Sequence, residues 1–142
     1  MVNKQRKRDN LYIGIALLIA EQSYAKRKKV GCVIVKDNNI ISFGWNGMPA
    51  GFDTVCEDSE GNTYPEVIHS EINAFAKLAK TGVSCRDAVV YLTLSPCFDC
   101  SKMMIASGIK RVVYSEAYRN TDPLEILKKA NLGVECFYDI KK

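Results

Sequence analysis

Two hydrophobic patterns alternate along this chain. Leu11, Ile15, Leu18 and Ile19 recur at helical spacing and predict a helix over Asn10–Tyr24. Val30–Lys36 and Asn39–Trp45 are β-rich runs separated by Asp37-Asn38, which predicts a hairpin. Gly44-Trp45-Asn46-Gly47-Met48-Pro49-Ala50-Gly51 is punctuated by glycine and reads as a loop, and Glu57–Tyr64 reads as an exposed excursion. A helix follows over His69–Lys80, closed by Gly82. Ala88–Leu94 is an apolar strand, Cys97–Ala106 a helix ending near Gly108, and Arg111–Tyr114 a short strand. Pro123–Ala130 is a helix with Asp122 as its N-cap and Pro123 at the first helical position, and Val134–Tyr138 is a last strand. After the opening hairpin, strands alternate with helices. That order predicts an α/β fold: a mixed, roughly five-stranded sheet layered between helices.

Composition narrows the picture only a little. The 142 residues carry 47% hydrophobic and 25% charged side chains, the balance of a globular chain with a core of its own. No repeat or linker divides them, so one domain is expected over residues 1–142. No run approaches the ~20 apolar residues that span a bilayer. The net charge of +4 is uneven. Lys4, Arg6, Lys7 and Arg8 read as a solvated face, whereas Lys26, Arg27, Lys28 and Lys29 lead straight into a strand and leave a phosphate role open. The first residues mimic a signal peptide, with Leu11–Ala20 followed by Ser23-Tyr24-Ala25. Removing them would delete an amphipathic helix, so that reading is set aside. A reducing, cytoplasmic compartment is expected for the six cysteines.

The chemistry concentrates in two short segments. In Ser95-Pro96-Cys97-Phe98-Asp99-Cys100, Ser95 is a candidate N-cap and Pro96 fits the first helical position. Cys97 and Cys100 then share one face of a first helical turn, where the helix dipole favours thiolates. His69, the chain's only histidine, opens another helix two residues before Glu71. One histidine and two cysteines leave the fourth position of tetrahedral zinc open, as a catalytic site requires. A fourth ligand from Cys32, Cys56, Cys85 or Cys136 would make the site structural instead. The combination H-x-E with P-C-x-x-C is the signature of zinc nucleobase deaminases, in which a glutamate that does not bind the metal moves the protons. Glu71 is that glutamate here; its plainer reading is a surface carboxylate at a helix start.

These segments, with Lys29-Val30-Gly31-Cys32-Val33-Ile34-Val35, Gly44–Gly51, His69-Ser70-Glu71-Ile72-Asn73-Ala74 and Thr93–Lys102, make the chain resemble the deoxycytidylate (dCMP) deaminase family of the cytidine deaminase superfamily. The resemblance runs over nearly the whole chain; the metal signature belongs to the superfamily, and the Gly44–Gly51 loop narrows it. It implies a three-layer α/β/α cytidine-deaminase-like fold, a single zinc-dependent deaminase domain with one catalytic Zn2+ per subunit, and hydrolysis of dCMP to dUMP and ammonia. It also implies that Asn46 contacts the sugar, that backbone near Ser70 and Cys97 surrounds the base, and that Tyr118 packs beside it; a buried place at the sheet edge is the equal alternative for Tyr118. By position, Ser23, Lys26 or Arg27 would take the phosphate. The family usually has alanine where this chain has Ser70. Some phage relatives carry a second zinc in a longer insertion before His-x-Glu, which is not expected here.

The same resemblance implies a homohexamer activated by dCTP and inhibited by dTTP, with Mg2+ accompanying the triphosphate. Gly44, Asn46, Gly47, Asn73 and Lys80 are the candidate effector residues, and Lys80 reads equally as a solvated lysine near a helix C-terminus. Alternative readings are a related zinc deaminase acting on tRNA adenosine, a free nucleoside or dCTP, and a zinc-stabilised binding module without chemistry. The Gly44–Gly51 loop argues against a nucleic-acid substrate, and Glu71 with an open ligand position argues against the binding module.

Overall fold

The backbone builds a five-stranded sheet in the order β2-β1-β3-β4-β5. A computed structural model describes residues 3–137. The elements are α1 (Lys4–Ala20), β1 (Gly31–Lys36), β2 (Asn39–Trp45), α2 (Ser70–Thr81), β3 (Val89–Leu94), α3 (Phe98–Ala106), β4 (Arg111–Glu116), α4 (Asp122–Lys129) and β5 (Gly133–Cys136). Strand β1 pairs antiparallel with β2 and with β3, while β3–β4 and β4–β5 are parallel. The expected mixed sheet between helices is therefore what forms. In the hairpin, Asp37 and Asn38 both adopt positive φ, 50° and 60°, the backbone a tight two-residue β-turn demands.

The central strands are buried on both faces, so they read as continuous apolar runs rather than alternating ones. Cys32, Ile34, Val90, Leu92 and Val112 point to one side, where Ala74, Phe75, Leu78, Met104, Leu124 and Leu127 from α2, α3 and α4 cover them. Val33, Val35, Tyr91 and Val113 point to the other, against Tyr12, Ile13 and Ala16 of α1. This is the three-layer α/β/α arrangement.

Helix α1 departs most from expectation. It starts at Lys4 rather than Asn10, because Asn3 caps it by accepting from Gln5 N (2.8 Å). Lysine and arginine are good helix formers, so the basic run extends the helix even though it carries no apolar period. The inward face also differs: Asp9, Tyr12, Ile13, Ala16 and Ala20 are buried, while Leu11 and Leu18 are exposed, Leu18 to 72%. The inward polar residues have specific partners. Asp9 forms a two-pronged ion pair with Arg111 (2.9 and 2.7 Å) and accepts from the Tyr91 hydroxyl (2.6 Å). The Tyr12 hydroxyl donates to Asn38 Oδ1 (2.6 Å).

Smaller corrections follow from local bonds. Helix α3 begins at Phe98 with Cys97 as its N-cap, not Ser95. The Ser95 hydroxyl is used elsewhere, accepting from Tyr118 N (2.7 Å). Thr121, not Asp122, precedes the first turn of α4. Strand β4 runs on to Glu116, and β5 covers Gly133–Cys136, with Tyr138 outside the described residues. Gly82 ends α2 in the left-handed conformation at φ 74°, as the sequence predicts. Among the described residues no helix is long and apolar enough to cross a membrane.

Helix α2 lies unusually close to β2, and Gly44 makes this possible. A Cβ there would sit 2.6 Å from Ser70 O and 2.7 Å from Ala74 N, both backbone atoms. Ser42 Oγ donates to Ala74 O (2.6 Å) and Asn73 Nδ2 donates to Trp45 O (2.7 Å), so the helix is bonded to the strand on either side of that glycine. Gly44→Ala must push the first turn of α2 outward. It is expected to cost roughly 1–3 kcal/mol, the usual range for overpacking, read as a lower midpoint in chemical denaturation with an unchanged slope.

Candidate active site

The first turns of α2 and α3 meet at one end of the sheet. His69 is the N-cap of α2, with extended backbone (φ −65°, ψ 152°), and Cys97 occupies the same place on α3 (φ −77°, ψ 176°). Their side chains and that of Cys100 converge. His69 Nδ1 lies 3.6 Å from Cys97 Sγ and 3.5 Å from Cys100 Sγ, and all three donor atoms fall within 4.8 Å of one another. Tetrahedral zinc with ordinary bond lengths holds a nitrogen and a sulfur donor about 3.6 Å apart. The donor set thus fits zinc in both chemistry and spacing. Cys100 is buried, Cys97 half-buried and His69 exposed, so the cluster faces outward on one side. Cys32, Cys56, Cys85 and Cys136 are not part of this cluster, so it has three protein donors among the described residues.

Protons are distributed unevenly over the donors. The Cys97 thiol is pushed down to about 4, first by the hydrogen bond from Cys100 and next by His69. Cys100 moves upward because it supplies that proton to Cys97 and because it is buried. His69 is raised, chiefly by its hydrogen bond to Cys97, against an opposing effect of burial. The cluster therefore holds one thiolate before any metal arrives, and Cys97 is its anionic member. The backbone N–H of Cys100 donates to that sulfur (3.5 Å).

Glu71 sits in the first turn of α2, buried rather than at the surface. Burial raises its carboxyl pKa, and the Ser70 hydroxyl, donating to Oε1 at 2.9 Å, works in the opposite direction. A carboxyl raised by burial is suited to holding and releasing a proton near neutral pH. The residue that replaces the usual alanine thus touches the carboxylate itself and does more than floor the pocket.

These groups open into one cleft of about 310 Å³. It is lined by His69, Ser70, Glu71 and Cys97, by Asn46 and Tyr118, and by Arg27 and Lys28, with Val30, Val67 and Leu94 as apolar walls. Of the residues assigned to substrate, Asn46, Ser70, Tyr118 and Arg27 are in the cleft, while Ser23 and Lys26 are not among its lining. Ser23 is committed to the backbone: its hydroxyl donates to Asn46 O (2.7 Å) and accepts from Ala25 N (3.1 Å). Asn46 is likewise held, accepting from Val30 N (2.9 Å) and donating to Lys28 O (2.8 Å). Two charged lining residues, Lys28 and Glu57, were not assigned to the site from sequence. Lys28 lay within the flagged basic cluster, and period-two alternation would have put it on the same face as Lys26, so no sequence signal singled it out. Glu57 lay in the supposedly exposed excursion but is turned inward and 8% exposed. Gly44, Gly47, Asn73 and Lys80 lie outside this cleft.

An α/β/α sheet with histidine, two cysteines and a buried glutamate gathered at two helix starts is the arrangement of a zinc-type deaminase domain. The family model described as "Cytidine and deoxycytidylate deaminase zinc-binding region" matches residues 6–116. The deoxycytidylate deaminase of Enterobacteria phage T4 is 34% identical, over 90% of this chain and 88% of the phage protein. That of Saccharomyces cerevisiae is 30% identical, over 91% of this chain but only 44% of the yeast protein. Among solved structures, the dCMP deaminase of the cyanophage S-TIM5, in complex with dCMP and dUMP, superposes with a TM-score of 0.89 at 39% identity, covering 96% of this chain and 99% of that one. The chain belongs to the cytidine and deoxycytidylate deaminase family.

Replacing either sulfur should empty the site. Cys100→Ala is expected to abolish zinc retention in elemental analysis of the purified protein, against one zinc per chain for the parent. A second tightly held zinc in the parent protein, or full retention by Cys100→Ala, would contradict the three-donor cluster.

Proposed function

We propose that this chain hydrolyses dCMP to dUMP with release of ammonia. One observation carries the reading: the buried Glu71 carboxylate, the His69/Cys97/Cys100 donors and the Arg27 and Lys28 cations line a single cleft. Zinc held by those donors supplies Lewis acidity that brings the ionisation of water close to neutral pH. Glu71 takes the proton released by the attacking water and passes it to the ring nitrogen of cytosine. It then takes the second proton from the hydroxyl added at C4 and delivers it to the departing amine as the C4–N bond breaks and the carbonyl forms, so that water and dCMP become dUMP and ammonia. Burial supports this double role, because a carboxyl of raised pKa both accepts and donates readily. Asn46, which lines the cleft with its amide fixed by the backbone of Lys28 and Val30, takes the sugar hydroxyl in this reading. Tyr118 packs beside the base.

The phosphate goes to Arg27 and Lys28. Arg27 forms no ion pair within the described residues, whereas Lys28 pairs with Glu116 (2.6 Å) in a solvent-exposed bridge. Exposed pairs are weak, so an incoming phosphate can draw Lys28 away at little cost. The cyanophage protein, in complex with dCMP and dUMP, supports the same substrate class.

The test is ammonia release from a panel of dCMP, dCTP, deoxycytidine and a tRNA. Preference for dCMP is expected. Glu71→Gln should keep its zinc and lose turnover by ~10²–10⁴, the scale of a general acid–base group. Equal rates with dCMP and deoxycytidine would contradict a phosphate-reading cleft.

Regulation extends the proposal. A homohexamer, cytoplasmic, with dCTP raising and dTTP lowering the affinity for dCMP, suits the family resemblance and the close α2–β2 packing. Asn73, Gly44 and Lys80 touch or adjoin the helix that carries His69 and Glu71, so an effector nucleotide, with Mg2+ on its triphosphate, has a short route to the site. The exposed Leu11 and Leu18 of α1 suit a subunit contact. Rate curves against dCMP should shift in opposite directions with the two effectors, with coupling of ~1–3 kcal/mol. Superimposable curves would remove allostery and leave the chemistry standing.

A further inference from the structure

Between α1 and β1 the chain passes through residues 24–30 without helix or strand. Backbone groups in such a segment need partners from elsewhere. Three side chains supply them. Ser23 Oγ accepts from Ala25 N at the start, and Asn46 takes Lys28 O and Val30 N at the end. The middle is held by Glu57, whose Oε2 accepts from both Lys26 N (2.9 Å) and Arg27 N (3.1 Å). Ser23 directly precedes the segment, and Asn46 follows β2, whose last residue pairs with Gly31 just past the segment's end. Glu57 reaches it from the excursion thirty residues away.

That excursion is built to deliver the carboxylate. Glu57 bridges Thr63, Tyr64 N donates to Cys56 O (2.8 Å), and Asp58 Oδ1 accepts from Glu60 N and Asn62 N (2.9 Å each). The arm closes on itself and turns Glu57 into the cleft wall beside Arg27 and Lys28. A buried carboxylate beside the cations of an anion site is an electrostatic penalty for the anion. Here it has a geometric effect instead. Adjacent N–H groups converging on one oxygen form the kind of concavity that binds anions. Glu57 already fills it, so an arriving phosphate is met by the Arg27 and Lys28 side chains and not by that backbone.

We propose that Glu57 is a positioning residue for phosphate recognition: it fixes the Lys26–Arg27 backbone so that Arg27 and Lys28 face the cleft. The inference rests on the reading of this chain as a nucleotide deaminase. Glu57 touches neither the donor cluster nor Glu71 through any of these bonds, so its effect falls on binding of the phosphorylated substrate.

The two N–H bonds end on one oxygen, so glutamine can keep both while removing the charge. Steady-state kinetics of the zinc-loaded parent, Glu57→Gln and Glu57→Ala, each with dCMP and with deoxycytidine, separate the possibilities. Glu57→Ala should raise KM for dCMP about tenfold, with kcat and the kcat/KM for deoxycytidine changed less than about twofold. Glu57→Gln should leave KM for dCMP at or below the parental value. A fall in activity shared equally by both substrates, or confined to kcat, overturns the proposal, as does Glu57→Gln with the KM expected of alanine. Should Glu57→Ala not fold, Glu57→Asp, whose shorter side chain draws the oxygens back from both N–H groups, is held to the same expected rise in KM for dCMP. A parent protein that turns over deoxycytidine as well as dCMP sinks the nucleotide reading together with this one. A parent that prefers dCMP, beside a Glu57→Ala variant with unchanged KM, sinks only the role of Glu57.

Discussion

The close approach of α2 to β2 at Gly44 is the constraint on which the site depends. The helix carries His69 at its N-cap and Glu71 in its first turn, so any outward shift moves both relative to the cysteines on α3. Side chains are otherwise what separate a helix from a sheet. Removing one at Gly44 lets helix backbone rest on strand backbone, and Ser42 and Asn73 then bond across the gap. The isolated bridge between Gly47 and Ile68 continues the contact past the strand end to the residue just before His69. Position is thereby fixed from both sides of the first helical turn. The same logic applies across the sheet, where a Cβ on Gly31 would meet Ala16 O at 2.1 Å and α1 lies equally close.

The far end of the sheet is secured by charge instead. Asp9 is nearly inaccessible, yet its two oxygens meet Arg111 and Tyr91, and Arg111 also reaches Glu135. A buried pair of this kind adds little net stability over well-packed apolar groups, while loss of one partner is costly because the other stays buried and charged. The network joins α1, β3, β4 and β5, and it explains why the basic start of α1 has one acidic residue on its inward face. The cleft and this network lie at opposite ends of the strands: Leu94 and Ser95 border the first, Val89 and Arg111 the second. Chemistry at one end is thus insulated from the charges that lock the other.

What the sequence disclosed follows the same division. The metal donors were legible because short spacing fixes geometry: two cysteines three apart at a helix start must share a face, and a lone histidine two residues from a glutamate limits the pairing. The central strands were legible because, buried on both faces, they are apolar at nearly every position. The inward face of α1 was not, since Asp9 and Tyr12 turn inward for partners more than twenty residues distant while Leu11 and Leu18 turn out. The helix starts of α1 and α3 were misplaced for a local reason. Asn3 extends one cap beyond the apolar period, and Ser95 spends its hydroxyl on Tyr118 N, leaving Cys97 to cap α3 with its own sulfur.

That last exchange matters for the chemistry. At the N-cap, the Cys97 sulfur meets the Cys100 thiol and His69, which lower its pKa most, and the Cys100 N–H adds to them from within the helix that Cys97 begins. Cys100 is pushed the other way by the same hydrogen bond to Cys97 and by its burial, and keeps its proton. The two sulfurs are therefore inequivalent in the metal-free chain although their spacing makes them look alike. Metal binding must displace the proton that Cys100 holds, whereas Cys97 is ready as it stands. The asymmetry comes from their mutual hydrogen bond and from depth, Cys97 capping the helix half-buried and Cys100 lying buried inside it. Ser95, two residues before that cap, takes its bond from Tyr118 N, so the residue proposed to pack beside the base is anchored next to the helix start that carries both sulfurs.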